Sequence, residues 1–395
     1  MRTFFLLFLG CAFSGVSQNY TSYFTGNTTD IQVSANGGIC LMGGSTEDDN
    51  AMKWFLERAN GGDILVIRTS GSDGYNDYLY SQLGISVNSV ETIVFNNPSA
   101  VNDAYVQQKI EGAEALWIAG GNQWNYVSYW RDSPVDSLIN EGLINRNMAI
   151  GGTSAGMAIL GGHYFSAHYG TVTSATALSN PFDTDVTVDN TPFIDLPLLS
   201  DVVTDTHYDD PDRKGRHVVF MARMLNDHGT MAKGIACDEY TAVCIDENGI
   251  ASVYGEYPNY DDYAYFLQVN CEYKFNFPET ILSNTPLTWN VNGEALKVYF
   301  APGTVDGSIQ FDLNNWTDGV GGSWQHWYVN SGTLIEHNGT QIDCGVEGIE
   351  TLDLESNEIV EIFDILGRPT SIKKHKLIFI KYKSGAIVKY MTSEY

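Results

Sequence analysis

The chain has 395 residues, with 48 acidic against 21 basic side chains and a formal net charge of −27. A field of that sign argues against nucleic acid as a partner and attracts cationic groups instead. Beyond residue 17 stand Cys40, Cys237, Cys244, Cys271 and Cys344 with no CxxC pair, which argues against a zinc site or a dense disulfide framework.

The first seventeen residues read as an export signal: Arg2, an apolar run from Phe4 to Phe13, then the small residues Gly15 and Ser17. Cys11 after Gly10 raises a lipoprotein alternative, but Phe8 stands where leucine is usual. No later stretch approaches the roughly 18 apolar residues of a membrane-spanning helix. Ile39–Met42 predicts a strand, followed by the Gly43-Gly44 turn and a helix from Asp48 to Ala59. Gly43-Gly44 lacks the third glycine of a dinucleotide loop. Further strands are expected at 64–68, 90–95 and 115–118, with helices starting near Asn102 and at Ser133-Pro134. This alternation implies a largely parallel sheet with helices on both faces.

Met148 to Ile150 predicts the end of a buried strand, and Ala155 to Leu160 the first turns of a helix. Between them, Gly152-Thr153-Ser154-Ala155-Gly156 fits Gly-x-Ser-x-Gly, whose serine is held on a tight turn with its hydroxyl projecting from the sheet. Read blandly, the same residues are a glycine-rich turn with a capping serine. A nucleophilic serine needs a base, and the base an orienting acid. His207, at the mouth of a short strand from Asp201, supplies the first. Glu239, after the apolar strand Gly234–Cys237, supplies the second, with Asp238 as its rival. The order Ser…His…acid differs from that of α/β-hydrolases. Cys237 and Cys244 flank this acid, as a bridge or as small buried residues. The aspartates 209, 210 and 212 beside His207 have no regular ligand spacing, so neither metal nor cofactor is expected.

From about Tyr257 helical periodicity gives way to β-rich segments at 287–291, 296–300, 308–313 and 324–329. Trp316, Trp324, Trp327 and Tyr328 form either a core or an open stacking platform. The latter would suit an alternative function, a catalytically inactive surface-binding protein. Residues 361–395 hold seven basic against three acidic side chains, leaving 14 against 45, or −31, for the rest.

Ala119-Gly120-Gly121-Asn122-Gln123, Gly151–Gly156, Asp205-Thr206-His207-Tyr208 and Asp238–Ala242 together resemble successive motifs of the cyanophycinase-like serine peptidases, a family that includes dipeptidase E. The resemblance runs from about Gly37 to Gly255. It implies a three-layer α/β sandwich with a mostly parallel sheet, of the class I glutamine amidotransferase-like kind. It also implies Ser154 as nucleophile, His207 as base and Glu239 as acid. Gly121 or Asn122 would join Ala155 in the oxyanion hole, while Gln123, Asp205, Arg213 and Arg216 would bind substrate, a peptide or cyanophycin-like polymer. Thr206 and Pro211 depart from the family's Asp-Gln-His-Phe and its first following arginine. The segment Val360–Arg368 with 377–382 and 387–390 resembles the C-terminal sorting domains of the type IX secretion system in Bacteroidetes. The expected organisation is a signal at 1–17, a catalytic domain at 18–255, a β-rich accessory domain at 256–345 and a sorting domain at 346–395. The chain is then secreted or held on the outer cell surface, reaching it through the periplasm and the type IX machinery. Assembly as a homodimer stays open.

Overall fold

A computed structural model describes residues 18–344, 359–364, 368–371, 377–382 and 387–391. The expected export signal at 1–17 lies outside the described residues, as do parts of the expected sorting segment. Two compact units divide the chain, Met1–Asp343 and Cys344–Tyr395.

The first unit is built on two sheets. One has a parallel centre in which β4 (Ser89–Phe95), β3 (Asp63–Arg68), β5 (Ala115–Ile118), β6 (Ala149–Thr153) and β2 (Ile39–Met42) lie side by side. Antiparallel strands extend it on both sides. β1 (Tyr20–Gly26) adds to β4, while β11 (Ala242–Ile245), β12 (Ile250–Tyr254), β15 (Ile309–Asp312) and β16 (Gly319–Val320) continue beyond β2. In the other sheet, β7 (His163–Phe165), β9 (Val202–Asp205) and β10 (Lys233–Cys237) are parallel, with the short β8 (Val188–Asp189) at one edge. From β10 it continues antiparallel through β13 (Tyr263–Val269), β14 (Leu296–Pro302), β17 (Ser323–Asn330) and β18 (Thr333–Asn338).

The period of two along each strand sorts the side chains into layers. On β2, Cys40 and Met42 face one cluster with Met52, Phe55 and Leu56 of the Asp49–Arg58 helix. Ile39 and Leu41 face the opposite cluster, which also takes Val106 and Ile110 from the Ala104–Gly112 helix and Val135 and Ile139 from Pro134–Asn145. That cluster runs on into Ile235, Cys237, Ala264 and Phe266 of the second sheet. The far face of the second sheet is covered by the Lys214–His228 helix through Val218, Val219 and Phe220. The helix expected from Asp48 to Ala59 runs over Asp49–Arg58, with Asp48 as its cap accepting from the N–H groups of Asn50 and Ala51, and Ser133 caps as expected, accepting from that of Val135.

Two expectations are revised. The sheet is not mostly parallel, because antiparallel strands flank both parallel centres. Nor do residues 256–345 form a module of their own. β13 pairs with β10 in the register Ile235↔Phe266, and β15 pairs with β12. Strands buried as fully as Ala264–Val269 need an apolar layer on each face, and the catalytic region supplies it. The aromatic residues go to the same purpose. Trp316 and Trp327 are buried, and the half-buried Trp324 and Tyr328 pack against the two core clusters, so the four rings belong to the core packing rather than to an open platform. The expected strand at 287–291 reduces to isolated bridges at Thr288 and Trp289.

Cys40, Cys237 and Cys244 are buried free thiols, whereas Cys271 is disulfide-bonded. In the second unit, β19 (Ile359–Asp364), β20 (Leu377–Tyr382) and β21 (Ile387–Met391) form an antiparallel sheet. Among the described residues no helix is long and apolar enough to cross a membrane.

The shared sheets make a prediction. A chain ending at Gly255 loses β13 and β14, uncovering the edge of β10 and both apolar faces beside it. It should fail to give soluble, cooperatively melting protein, as read by circular dichroism. A stable 18–255 fragment would show that the catalytic region closes by itself.

Candidate active site

Ser154 stands where β6 ends, with φ 53 and ψ −118, backbone angles that an L residue rarely adopts. Its N–H donates to the Met42 carbonyl at 3.1 Å, and one helical turn, Ala155–Ala158, follows. That turn is shorter than the helix expected to reach Leu160. The flanking glycines are steric requirements. A Cβ on Gly156 would overlap the Ile118 carbonyl oxygen, and one on Gly152 would come within 2.6 Å of the Gly156 carbonyl carbon.

His207 follows β9, and Glu239 follows β10. His207 also has positive φ, at 48, and its N–H donates to the Gly43 carbonyl at 2.9 Å. The Tyr240 N–H reaches the Gly44 carbonyl at 3.1 Å, and the Gly43 N–H reaches the Thr241 carbonyl at 2.9 Å. The Gly43-Gly44 turn therefore stitches the histidine loop to the acid loop. A Cβ on Gly44 would sit 2.5 Å from the His207 ring, and one on Gly43 would overlap the Asp238 carbonyl. In the sequence these two glycines are legible only as a turn, because their role depends on contacts far along the chain.

The three side chains form one relay. His207 Nε2 lies 2.8 Å from Ser154 Oγ, and Nδ1 lies 2.5 Å from Glu239 Oε1. A carboxylate on the Nδ1 side assigns the proton there, which leaves Nε2 to accept the serine hydroxyl. Glu239 is itself held by its backbone N–H, which donates to Asp209 Oδ1 at 2.9 Å. Asp238 points the other way. It is 2% exposed, its Oδ1 has no hydrogen-bond partner, and burial together with Asp209 pushes its pKa up to about 8. Of the two candidate acids, Glu239 is the one that meets the histidine.

The remaining expected residues divide. Gly121 is exposed and Ala155, next to Ser154, is buried, while the Asn122 side chain caps the Gln123–Trp130 helix by accepting from the Asn125 N–H. Gln123 is half-buried and donates to the Phe165 carbonyl at 2.7 Å. Asp205 and Arg216 are not open to a substrate. They bind each other in the interior through Nε–Oδ2 at 2.9 Å and Nη2–Oδ1 at 2.5 Å. Burial opposes ionisation of Asp205, but the Arg216 guanidinium outweighs it and holds the carboxyl below its ordinary range. Arg213 does reach the surface beside the relay, donating to the Thr206 carbonyl at 3.0 Å. Among the described residues no three His, Cys, Asp or Glu side chains gather as metal ligands.

A relay of serine, histidine and carboxylate at three strand ends is the equipment of a serine hydrolase. Residues 68–253 match the model of Peptidase family S51. The chain is 22% identical over 178 residues to the cyanophycinases of Trichormus variabilis and a Nostoc species, covering 45% of this chain and 54% of each relative. It thus spans about half the length of the curated relatives it matches. A solved peptidase from an acI-B1 Actinobacterium is 15% identical with a TM-score of 0.42, covering 57% of this chain and 90% of its own. Ser154, His207 and Glu239 all lie inside the S51-like segment.

The Asp238 carboxyl has a pH signature. Its folded pKa of about 8 exceeds the ordinary 3.8, so between those values the folded state keeps a proton that the unfolded state releases. Stability from this group is complete below about pH 4 and is lost as pH rises through about 8. Asp238→Asn should flatten the fall in melting temperature between about pH 5 and 9. Thermal melts across that range are the check; parallel curves for parent and variant would assign the fall to another group.

Proposed function

We propose that this chain is an exported serine peptidase of cyanophycinase-like type, acting through an acyl-enzyme on peptides that carry aspartyl or arginyl groups. The single observation behind the reaction class is the unbroken Ser154–His207–Glu239 relay. Ser154 Oγ attacks the peptide carbonyl while His207 Nε2 takes its proton. The carbonyl oxygen becomes negative and is met by the N–H groups of Ala155 and of Gly121 or Asn122. When the C–N bond breaks, His207 returns the proton to the leaving amine, and water then hydrolyses the ester by the same route. Glu239 keeps the imidazole in the working tautomer throughout.

Two features support the substrate class. Arg213 is half-buried with no carboxylate partner among the described residues, and burial beside Arg216 pushes its pKa down to about 10. Such a guanidinium suits a substrate carboxylate. Next to Glu239, Tyr240 lines a cavity of about 520 Å³ with Glu47, Asp48, Asp49, Glu256 and Asp262. That lining suits a cationic side chain and agrees with the overall charge of −27.

Ser154→Ala or His207→Ala should lower turnover by about 10⁴ or more, since the members of such a triad act as a unit. Incubation with cyanophycin and with α- and β-aspartyl dipeptides, followed by amine release, is the measurement. Release by the Ser154→Ala protein at the parent's rate would end the hydrolase reading. No release from any of the three, with Ser154 still labelled by a fluorophosphonate, would end only the substrate claim.

Export draws on the sequence of residues 1–17, on the basic C-terminal segment and on disulfide-bonded Cys271, since disulfides persist in oxidising compartments. The C-terminal unit serves as an address for the secretion machinery. A chain ending at Gly345 should hydrolyse as fast as the parent when purified, yet remain in the periplasm of its host. Cell fractionation checks this, and normal surface delivery of the shortened chain would refute it.

A further inference from the structure

Tyr126 sits in the Gln123–Trp130 helix, fully buried and stacked on Trp130 with ring centres 4.5 Å apart and planes 7° from parallel. Its hydroxyl lies 2.9 Å from the Ala119 carbonyl oxygen and 3.0 Å from that of Gly120. One phenolic proton is shared between the two acceptors. In a trans peptide the C=O and the following N–H point in opposite directions. Carbonyls drawn to the buried ring therefore turn the N–H groups of Gly120 and Gly121 away from it, to the open side of the loop. That side is the serine's: a Cβ on Gly120 would sit 3.5 Å from Ser154 Cβ, and Gly121 is exposed. The Ser154 N–H is not available for an oxyanion, because it donates to Met42. The donors must come from Ala155 and from this loop.

We infer that Tyr126 is a positioning residue for the oxyanion loop, its hydroxyl fixing the Ala119 and Gly120 carbonyls so that the Gly121 N–H meets the oxygen that turns negative when Ser154 attacks. The inference rests on the serine-peptidase reading. Burial pushes the phenol's pKa up, so the hydroxyl remains a donor across the working pH range. Gly121 is fitted to the same group, because a Cβ there would overlap the Tyr126 hydroxyl.

The test needs no identified substrate. A fluorophosphonate reacts as Ser154 Oγ bonds to phosphorus, fluoride leaves, His207 takes the proton and the phosphoryl oxygen gains charge in the same place. In the full chain, Tyr126→Phe should slow labelling at saturating reagent about 10- to 100-fold, short of the 10²–10³ lost with a whole oxyanion donor. Half-saturating concentration and the pH midpoint of labelling should not move. Gly121→Ala should slow labelling too, and the double variant should be no slower than Gly121→Ala alone, since both act on one donor. A purely structural tyrosine would instead give additive losses that track the melting temperature. Should Tyr126→Phe fold poorly, Gly121→Ala carries the comparison, because its methyl displaces the loop from the same hydroxyl. Labelling within twofold of the parent by both single variants, or additive losses, would overturn the inference. An unlabelled parent, or labelling of Ser154→Ala, would overturn the peptidase reading itself and this inference with it.

Discussion

A serine at φ 53 and ψ −118 relaxes unless its neighbours prevent it, and such strain costs on the order of 1–3 kcal/mol. Here the restraint is packing. Gly156 rests on the Ile118 carbonyl and Gly152 rests on Gly156, so the turn after Thr153 has one way to run. The Ser154 N–H is tied to Met42 on the neighbouring strand. Everything else in the site is measured from this point: the hydroxyl projects because the backbone cannot lie flat, and His207 is useful only where that hydroxyl appears.

The relay also spans two sheets. Ser154 ends β6 of the first, whereas His207 and Glu239 follow β9 and β10 of the second. Their spacing is therefore a property of the core between the sheets, in which Leu41 and Ile150 pack in one cluster with Ile235 and Cys237. The Gly43-Gly44 turn crosses this gap, bonding to the backbone at His207, Tyr240 and Thr241. The strands from Tyr263 onward contribute indirectly, since β13 covers the outer edge of β10, β14 extends it, and the two add Ala264, Phe266, Tyr299 and Ala301 to the same core.

Adjacent acids receive opposite treatment. Asp238 turns into the interior, where burial and Asp209 raise its pKa to about 8, while Glu239 turns outward to the histidine. The two arginines divide similarly. Arg216 neutralises Asp205 in a fully buried pair, and Arg213, three residues earlier, stays at the surface with backbone and hydroxyl partners only. One residue of displacement along a strand end, or one turn of a helix, decides whether a charge holds the fold together or faces the cleft.

Local physics made much of this legible beforehand. The apolar runs at 39–42 and 115–118 are the strands found, the Ser133-Pro134 cap starts a helix, and Gly152 and Gly156 mark a turn that only glycine permits. Ser154, His207 and Glu239 were visible as polar residues at the ends of apolar strands. Strand partnership was not, because hydrogen-bonded neighbours such as Ile235 and Phe266 are distant in sequence and an apolar strand reads alike in a separate module or at a sheet edge. Nor could the sequence separate Asp238 from Glu239, or expect Asp205 and Arg216 to consume each other. Composition and periodicity determine which segments are strands, turns and buried faces. Which charge meets which is decided only when β2, β6, β9 and β10 converge, because burial and distance set the sign of every electrostatic term and neither exists before the chain has folded.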